Sequence, residues 1–224
     1  MEVIQQPDTL LSLESLNVRV QAWPLLKGKV EVDEVTLSQV AVNSANLIEG
    51  MQIKGVLGRF FLQSHGVDLS NETAVVNRTE LSDTHIQLLM TDTTTTPKDT
   101  TASAPVNWKV NLHQLKLKNV SFGMKLPADS MKVAAYIGEA TIDDAKADLK
   151  NQFYGLKQFL LSGASASYDT GEAQPSEGFD ASHMAVRNIR IGLDSLLYEG
   201  RNMNAVIREI TMEERSGLSI TSLT

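Results

Sequence analysis

Residues 29–42 read KVEVDEVTLSQVAV, and the spacing of their apolar side chains decides the predicted fold. The apolar residues come in pairs, at positions 30 and 32, 35 and 37, and 40 and 42, and two polar residues separate each pair from the next. The pattern therefore repeats every five residues. Strict alternation is typical of a strand with one buried face, and a slip of one residue would turn the rest of the strand over. A bulge or bend at Asp33 and Glu34, and another at Ser38 and Gln39, absorbs the extra residue. The stretch is therefore predicted to form one long, bent strand whose apolar side stays inward.

The same unit recurs along the chain, so the bent strand is predicted to be the building block of the whole protein. The polar pairs between the apolar positions are expected to lie outside, at the bends. The recurrences are Val110, Leu112, Leu115, Leu117, Val120 and Phe122; Ala135, Ile137, Ala140, Ile142, Ala145 and Ala147; Tyr154, Leu156, Phe159, Leu161, Ala164 and Ala166; and shorter runs around Val186 and Ile207.

An internal repeat is suggested by an offset of 80 residues. Residues 30–86 shifted by 80 fall on 110–166 without a gap and keep the apolar phase, with Gly58 on Gly138 and Asp68 on Asp148. A meander of similar strands would align in the same way, so both explanations stand. Either one predicts a repetitive architecture, in which neighbouring units bury a continuous core by stacking.

Composition narrows the function classes. The chain has 224 residues, 42% hydrophobic and 21% charged, which is typical of a folded globular protein. A net charge of −7 and the lack of a Lys/Arg cluster argue against a nucleic-acid partner. There is no cysteine, and neither a membrane span nor a signal peptide is recognisable. Because the last residues still read as a strand, the chain is expected to be a piece of something longer.

The predicted fold is all-β: an elongated, curved antiparallel sheet of long bent strands folded into a groove, with long polar loops. A first β-repeat segment is expected over residues 1–90, a Thr-rich flexible loop over 91–105, and a second segment over 106–224 that continues the same sheet. Residues 134–149 carry good helix formers, but their five-residue phase favours a strand.

No enzymatic site is predicted: no catalytic residue, no cofactor-binding residue and no metal ligand. Asp143 and Asp144 occupy a bend position and are expected to be solvated. The four histidines are scattered, without a second ligand at metal-binding spacing. His65 falls on the inward phase, as a satisfied core histidine or a groove-lining one, with the core position favoured.

The sequence instead predicts an apolar groove or a packed core, and does not decide between them. Small inward residues such as Ala140 and Ala164 leave volume that an apolar ligand, for example an acyl chain, would fill. The groove candidates are Val35, Leu37, Leu57, Phe60, Leu62, Leu115, Leu117, Ile137, Ile142, Phe159 and Leu161.

One stretch resembles a known family. The run DTLLSLESLNVRV at residues 8–20, followed by PLLKGKVEVDEVTL at 24–37, is similar to the opening of AsmA-like and TamB-like proteins. Val67, Asp68 and Leu69, like Ala147, Asp148 and Leu149, also resemble that family's repeats. The N-terminal anchor helix and the characteristic C-terminal region of the family are missing from this sequence.

The resemblance implies a repeating β-groove (β-taco) in the periplasm of a Gram-negative envelope, attached to the inner membrane through an anchor that this chain lacks. It implies phospholipid acyl chains as the bound partner, transport of lipid between the inner and outer membranes, and outer-membrane assembly. Coupling to an outer-membrane assembly barrel would require missing parts of the chain. The alternative is a closed-core β-repeat scaffold for protein–protein interaction; a hydrolase is the least favoured reading.

Overall fold

A computed structural model describes residues 2–5, 8–20, 32–44, 50–68, 71–90, 107–171 and 174–221. This part of the chain is all-β, with one short 3₁₀ turn at Pro127–Asp129 and no α-helix. No helix among these residues is long and apolar enough to cross a membrane. The strands are β1 Glu2–Gln5, β2 Asp8–Val20, β3 Val32–Asn43, β4 Met51–Asp68, β5 Thr73–Met90, β6 Lys109–Leu126, β7 Met131–Asp148, β8 Phe153–Leu156, β9 Gln158–Asp169, β10 His183–Glu199, β11 Asn202–Glu214 and β12 Ser219–Ile220.

The strands form a single curved sheet in chain order, with β8 and β9 lying end to end between β7 and β10. Four of them, β4 to β7, are 18 residues long, or about 60 Å at 3.3 Å per residue. The strand prediction for residues 134–149 is confirmed, because β7 covers almost all of that stretch. Residues 24–31 of the stretch that resembles the family, and the loop predicted at 91–105, lie outside the described residues.

One strand pair departs from the antiparallel sheet that the sequence predicted. β5 and β6 are parallel, paired from Thr73 with Lys109 to Leu89 with Lys125, whereas the other described pairs are antiparallel. A parallel pair needs a connection that returns the length of the strand. There are 18 residues between Met90 and Lys109, and the apolar spacing of the strands gives no sign of a parallel pair.

One set of bends, which includes the bend predicted at Ser38 and Gln39, lies in one row across the sheet, here called the crease row: Gln39, Gly58, Asp83, Asn119, Gly138 and Gly163. The non-glycine members have left-handed backbone, with φ between 50° and 53°, and Gly163 has φ of 61°. Each member falls opposite the next, between flanking residues that are paired in register. A bulge in one strand would shift its register against both neighbours. Here the six strands β3 to β7 and β9 carry the extra residue at the same level, so the register among them is kept and this part of the sheet bends as a unit.

The offset of 80 residues also holds in the structure. β4 shifted by 80 has the bounds of β7, and β5 shifted by 80 spans residues 153–170, where β8 and β9 lie. The turns after β4 and β7 match in detail. In each, an aspartate accepts hydrogen bonds from the backbone N–H and the side-chain amide of the asparagine three residues later (Asp68 with Asn71, Asp148 with Asn151).

Candidate functional site

The eleven predicted groove residues lie together on one face of the sheet, here called the apolar face. Directly paired residues share a face, and the pairings arrange the eleven in three adjacent rows. The first row contains Val35, Leu62, Leu115, Ile142 and Phe159; the second Leu37, Phe60, Leu117 and Leu161; the third Leu57 and Ile137.

The apolar face is not covered by a second layer in the described part of the chain. All eleven residues are half-buried. Among the described hydrophobic residues only Ala140 and Ala164 are buried, each 5% exposed. Ile86 and Phe122, paired on the same face beyond the crease row, remain 39% and 38% exposed.

The acidic pair at residues 143 and 144 lies at a bend, as predicted, but it is not free of partners. Asp144 Oδ1 lies 3.1 Å from His113 Nδ1, and Asp144 Oδ2 lies 3.5 Å from Lys157 Nζ. The hydrogen bond from His113, and then the one from Lys157, hold the pKa of Asp144 below its usual value. The arrangement is a solvated polar corner.

The core position favoured for His65 is wrong. Its ring is exposed and Nδ1 accepts a hydrogen bond of 2.8 Å from the amide of Asn77, because β4 is irregular at this point and the residue rotates off the apolar face. His183 is the buried histidine, with Nδ1 3.0 Å from Asp180 and Nε2 3.4 Å from Asp169. Within the described ranges, no three His, Asp or Glu side chains converge in a way that could hold a metal ion.

Asp180 ties the segment before β10 to the sheet. Backbone N–H groups of Ser176 and Ser182 donate to its carboxylate over 3.0 and 2.9 Å, and Arg215 lies 3.9 Å away. Those two backbone hydrogen bonds, helped by His183, hold the pKa of Asp180 well below its usual range.

A large cavity lies on the opposite, polar face, and none of the eleven groove candidates lines it. Its volume is about 1010 Å³, and it sits at the sheet end where β4, β7 and β10 begin and β5, β6 and β9 finish. Its floor follows one row of directly paired residues: Lys54, Gln87, Gly123, Ala134, Ser167 and Ala185. The next row towards the strand ends adds Leu89, Lys125, Lys132 and Asp169.

This cavity is not recognisable in the sequence, because its charged residues are far apart in the chain. Lys54, Lys125, Lys132, Arg187 and Arg215 line it, but no two of them are closer than seven positions in sequence. Only the pairing of distant strands brings them to one surface: four of the residues lie in β4, β6, β7 and β10, and Arg215 directly follows β11. The alternation of polar and apolar residues places each of them on the polar face, and nothing in that pattern marks them as a cluster.

Comparison with protein-family models, and with curated proteins, finds no match for this chain. The function is therefore argued from the geometry of the two faces.

Proposed function

We propose that this chain is a non-enzymatic β-sheet segment whose apolar face accommodates phospholipid acyl chains. The observation that carries the proposal is the uncovered apolar face. Three adjacent rows of Val, Leu, Ile and Phe side chains cross the sheet from β3 to β9, and the described part of the chain supplies no layer to cover them. Exposed apolar patches of this extent mark interaction sites in soluble proteins.

The bends support a trough rather than a flat sheet. At each crossing of the crease row two successive residues share the polar face, as Lys118 and Asn119 do, so the polar side of the strand is locally longer than the apolar side. A sheet that bends in this sense has the apolar face on its inside. The eleven candidates lie at the crease or beside it, where the bottom of such a trough would be.

The dimensions suit a hydrocarbon chain. From β3 to β9 the rows cross five strand spacings of about 4.8 Å, or about 24 Å. One leaflet of a bilayer contributes about 15 Å of hydrocarbon, half of the ~30 Å core. Each methylene removed from water contributes about 0.8 kcal/mol, so a chain of some 16 carbons gains as much as ~12 kcal/mol when it is fully covered.

The resemblance to AsmA-like and TamB-like proteins extends the proposal to a cellular setting. On that reading the chain is a periplasmic segment of an inner-membrane-anchored envelope protein, which moves phospholipid between the inner and outer membranes or serves outer-membrane assembly. The uncovered apolar face is compatible with that role and is argued independently of it.

Lipid extraction and mass spectrometry of protein purified without detergent test the proposal. Near-stoichiometric phospholipid is expected in the unmodified protein, and Leu117→Asp is expected to remove it. Thr141→Asp is the matched control, because it adds the same charge in the adjacent strand, but on the polar face. Circular dichroism establishes that both variants keep their strands. Protein that carries no lipid, or equal lipid loss in both variants, contradicts the proposal, as does unfolding of Leu117→Asp alone.

A second candidate, a scaffold that binds another protein along a strand edge, is favoured by β11. Its outer edge pairs only with two residues of β12, at Met212 and Glu213, among the described residues. Met203 and Val206 on this strand are 68% and 54% exposed. Open edges of this kind accept an added strand. Loss of a protein partner on Val206→Pro, with lipid content unchanged, would assign the interaction to this edge.

A further inference from the structure

We infer that the cavity on the polar face is a binding site for a phosphate group, carried either by a soluble molecule or by a lipid headgroup. The site lies on the face opposite the proposed acyl-chain trough, so the test of the site does not depend on that proposal.

The charge of the cavity opposes the charge of the chain. The chain as a whole carries −7, which gives no general attraction for anions. Among the described residues, the cavity lining contains five Lys and Arg side chains (Lys54, Lys125, Lys132, Arg187 and Arg215) and one acidic side chain, Asp169, so the charge of the described lining is five minus one, or +4. A concave surface of one sign concentrates ions of the other sign.

The cationic groups differ in how far the protein already satisfies them. Arg187 Nε donates to Glu213 Oε2 over 3.1 Å, and Arg215 lies 3.9 Å from Asp180. Lys54, Lys125 and Lys132, in contrast, have no ion-pair partner within the part of the chain that the structure describes. These three ammonium groups are available for a ligand.

Lys125 and Lys132 face each other directly. They are a register pair of β6 and β7 on the same face, where side chains stand about 5 Å apart at Cβ. Like charges in this position destabilise a sheet. Asp169, the partner of Lys132 in β9, points its Oδ1 at His183 Nε2, 3.4 Å away. An anion bound between the two lysines would be attracted by both ammonium groups and would offset the repulsion between them.

A phosphate monoester fits this pair better than a carboxylate does. It carries about 1.5 to 2 negative charges at neutral pH and several acceptor oxygens, so it can meet both ammonium groups. The floor beneath leaves room for it: a Cβ added at Gly123, between Gln87 and Ala134, would meet only Gln87 Cγ, at 3.9 Å. The volume of about 1010 Å³ also admits the body of a drug-sized or lipid-headgroup ligand.

Titration calorimetry of the full chain tests the site with two probes. Glycerol 3-phosphate represents the soluble source, and vesicles of phosphatidic acid, whose headgroup is also a phosphate monoester, against vesicles of phosphatidylcholine, represent the headgroup source. Sodium acetate at equal ionic strength tests the preference for phosphate. We expect binding of glycerol 3-phosphate, or selective binding of phosphatidic acid vesicles, and about tenfold or greater loss of affinity in Lys125→Gln combined with Lys132→Gln.

Lys146→Gln is the matched control, because Lys146 lies on the same face of β7 as Lys132 but at the opposite end of the strand. It is expected to leave the affinity unchanged. Gly123→Leu, which fills the floor without altering charge, is expected to weaken binding as the lysine variant does. The inference is overturned if neither phosphate probe binds, if acetate binds equally well, or if Lys146→Gln weakens binding as much as the lysine pair does.

Discussion

Replacing Gly58 with alanine tests whether the crease row holds the bent sheet together. A Cβ at this position would lie 2.6 Å from the carbonyl oxygen of Asp83 and 2.7 Å from its Cβ. The obstructing atoms belong mainly to the backbone of the neighbouring strand, so no side-chain rotation can relieve the clash. Either β4 and β5 separate at the crease, or the bend flattens.

The expected change in the free energy of unfolding for Gly58→Ala is the sum of two opposing effects. Overpacking of this kind costs about 1 to 3 kcal/mol, and the loss of glycine flexibility in the unfolded chain returns roughly 0.4 to 1 kcal/mol. We therefore expect Gly58→Ala to lower the free energy of unfolding by about 1 to 2 kcal/mol. Gly123→Ala is the control: its new Cβ meets no atom closer than 3.9 Å, so the same substitution is expected to be neutral or stabilising by about 0.5 kcal/mol.

Urea denaturation followed by circular dichroism measures both variants, on protein at one lipid content. Gly138→Ala should behave like Gly58→Ala, because its Cβ would lie 2.9 Å from the carbonyl oxygen of Gly163. If Gly58→Ala and Gly123→Ala have the same stability, the close approach of strands at the crease does not exist in solution and the explanation of the bend fails.

Three further outcomes follow from the structure. Gln39→Gly should raise the free energy of unfolding by about 1 kcal/mol, because its φ of 50° strains a non-glycine residue. Asn119→Gly should raise it by less, because asparagine tolerates that backbone and the Asn119 side-chain amide donates a 2.8 Å hydrogen bond to Asp83. Urea denaturation of the two variants measures both changes, and the reverse order would contradict the explanation. Asp148→Ala and Asp68→Ala should both destabilise the protein, because each carboxylate caps an equivalent turn, and a loss confined to one of them would show that the two turns are not equivalent. Asp180 has a lowered pKa in the folded protein, so its contribution to stability is present above the unfolded pKa of about 3.9 and is lost as the pH falls below that value. Between pH 7 and pH 3, the thermal unfolding temperature should therefore drop less for Asp180→Asn than for the unmodified protein. Equal drops in the unfolding temperature would contradict that assignment.

The strands and their bends were predictable because they depend on local spacing. The pair of apolar positions at Leu37 and Val40, three residues apart, already marks the crease in β3, and Leu117 and Val120 mark it in β6. The same spacing placed all eleven groove candidates on one face. His65 was misplaced because the irregular pairing of β4 near Ser64 breaks the phase on which the prediction depended.

The parallel pair and the cavity were not predictable by that reasoning. Whether β6 runs parallel to β5 depends on how the chain returns between Met90 and Lys109, and the apolar spacing of either strand is the same in both directions. The cavity depends on which distant strands become neighbours. Lys54 and Arg215 are 161 positions apart in sequence. They line the same cavity only because the strands from β4 to β11 pair in order within one sheet.

The crease row also explains why the six strands β3 to β7 and β9 share the same apolar phase. An extra residue in one strand alone would break its register with two neighbours, so a long sheet can bend sharply only if all strands carry the extra residue at the same level. Gln39 with Asn119, Gly58 with Gly138, and Asp83 with Gly163 are each 80 residues apart and occupy this row. The regularity of the sequence is thus a mechanical requirement of the bent sheet, and by itself says nothing about a ligand. Two features of the described residues favour a ligand: an apolar face without a second layer, and on the other side two lysines that face each other without an acid between them.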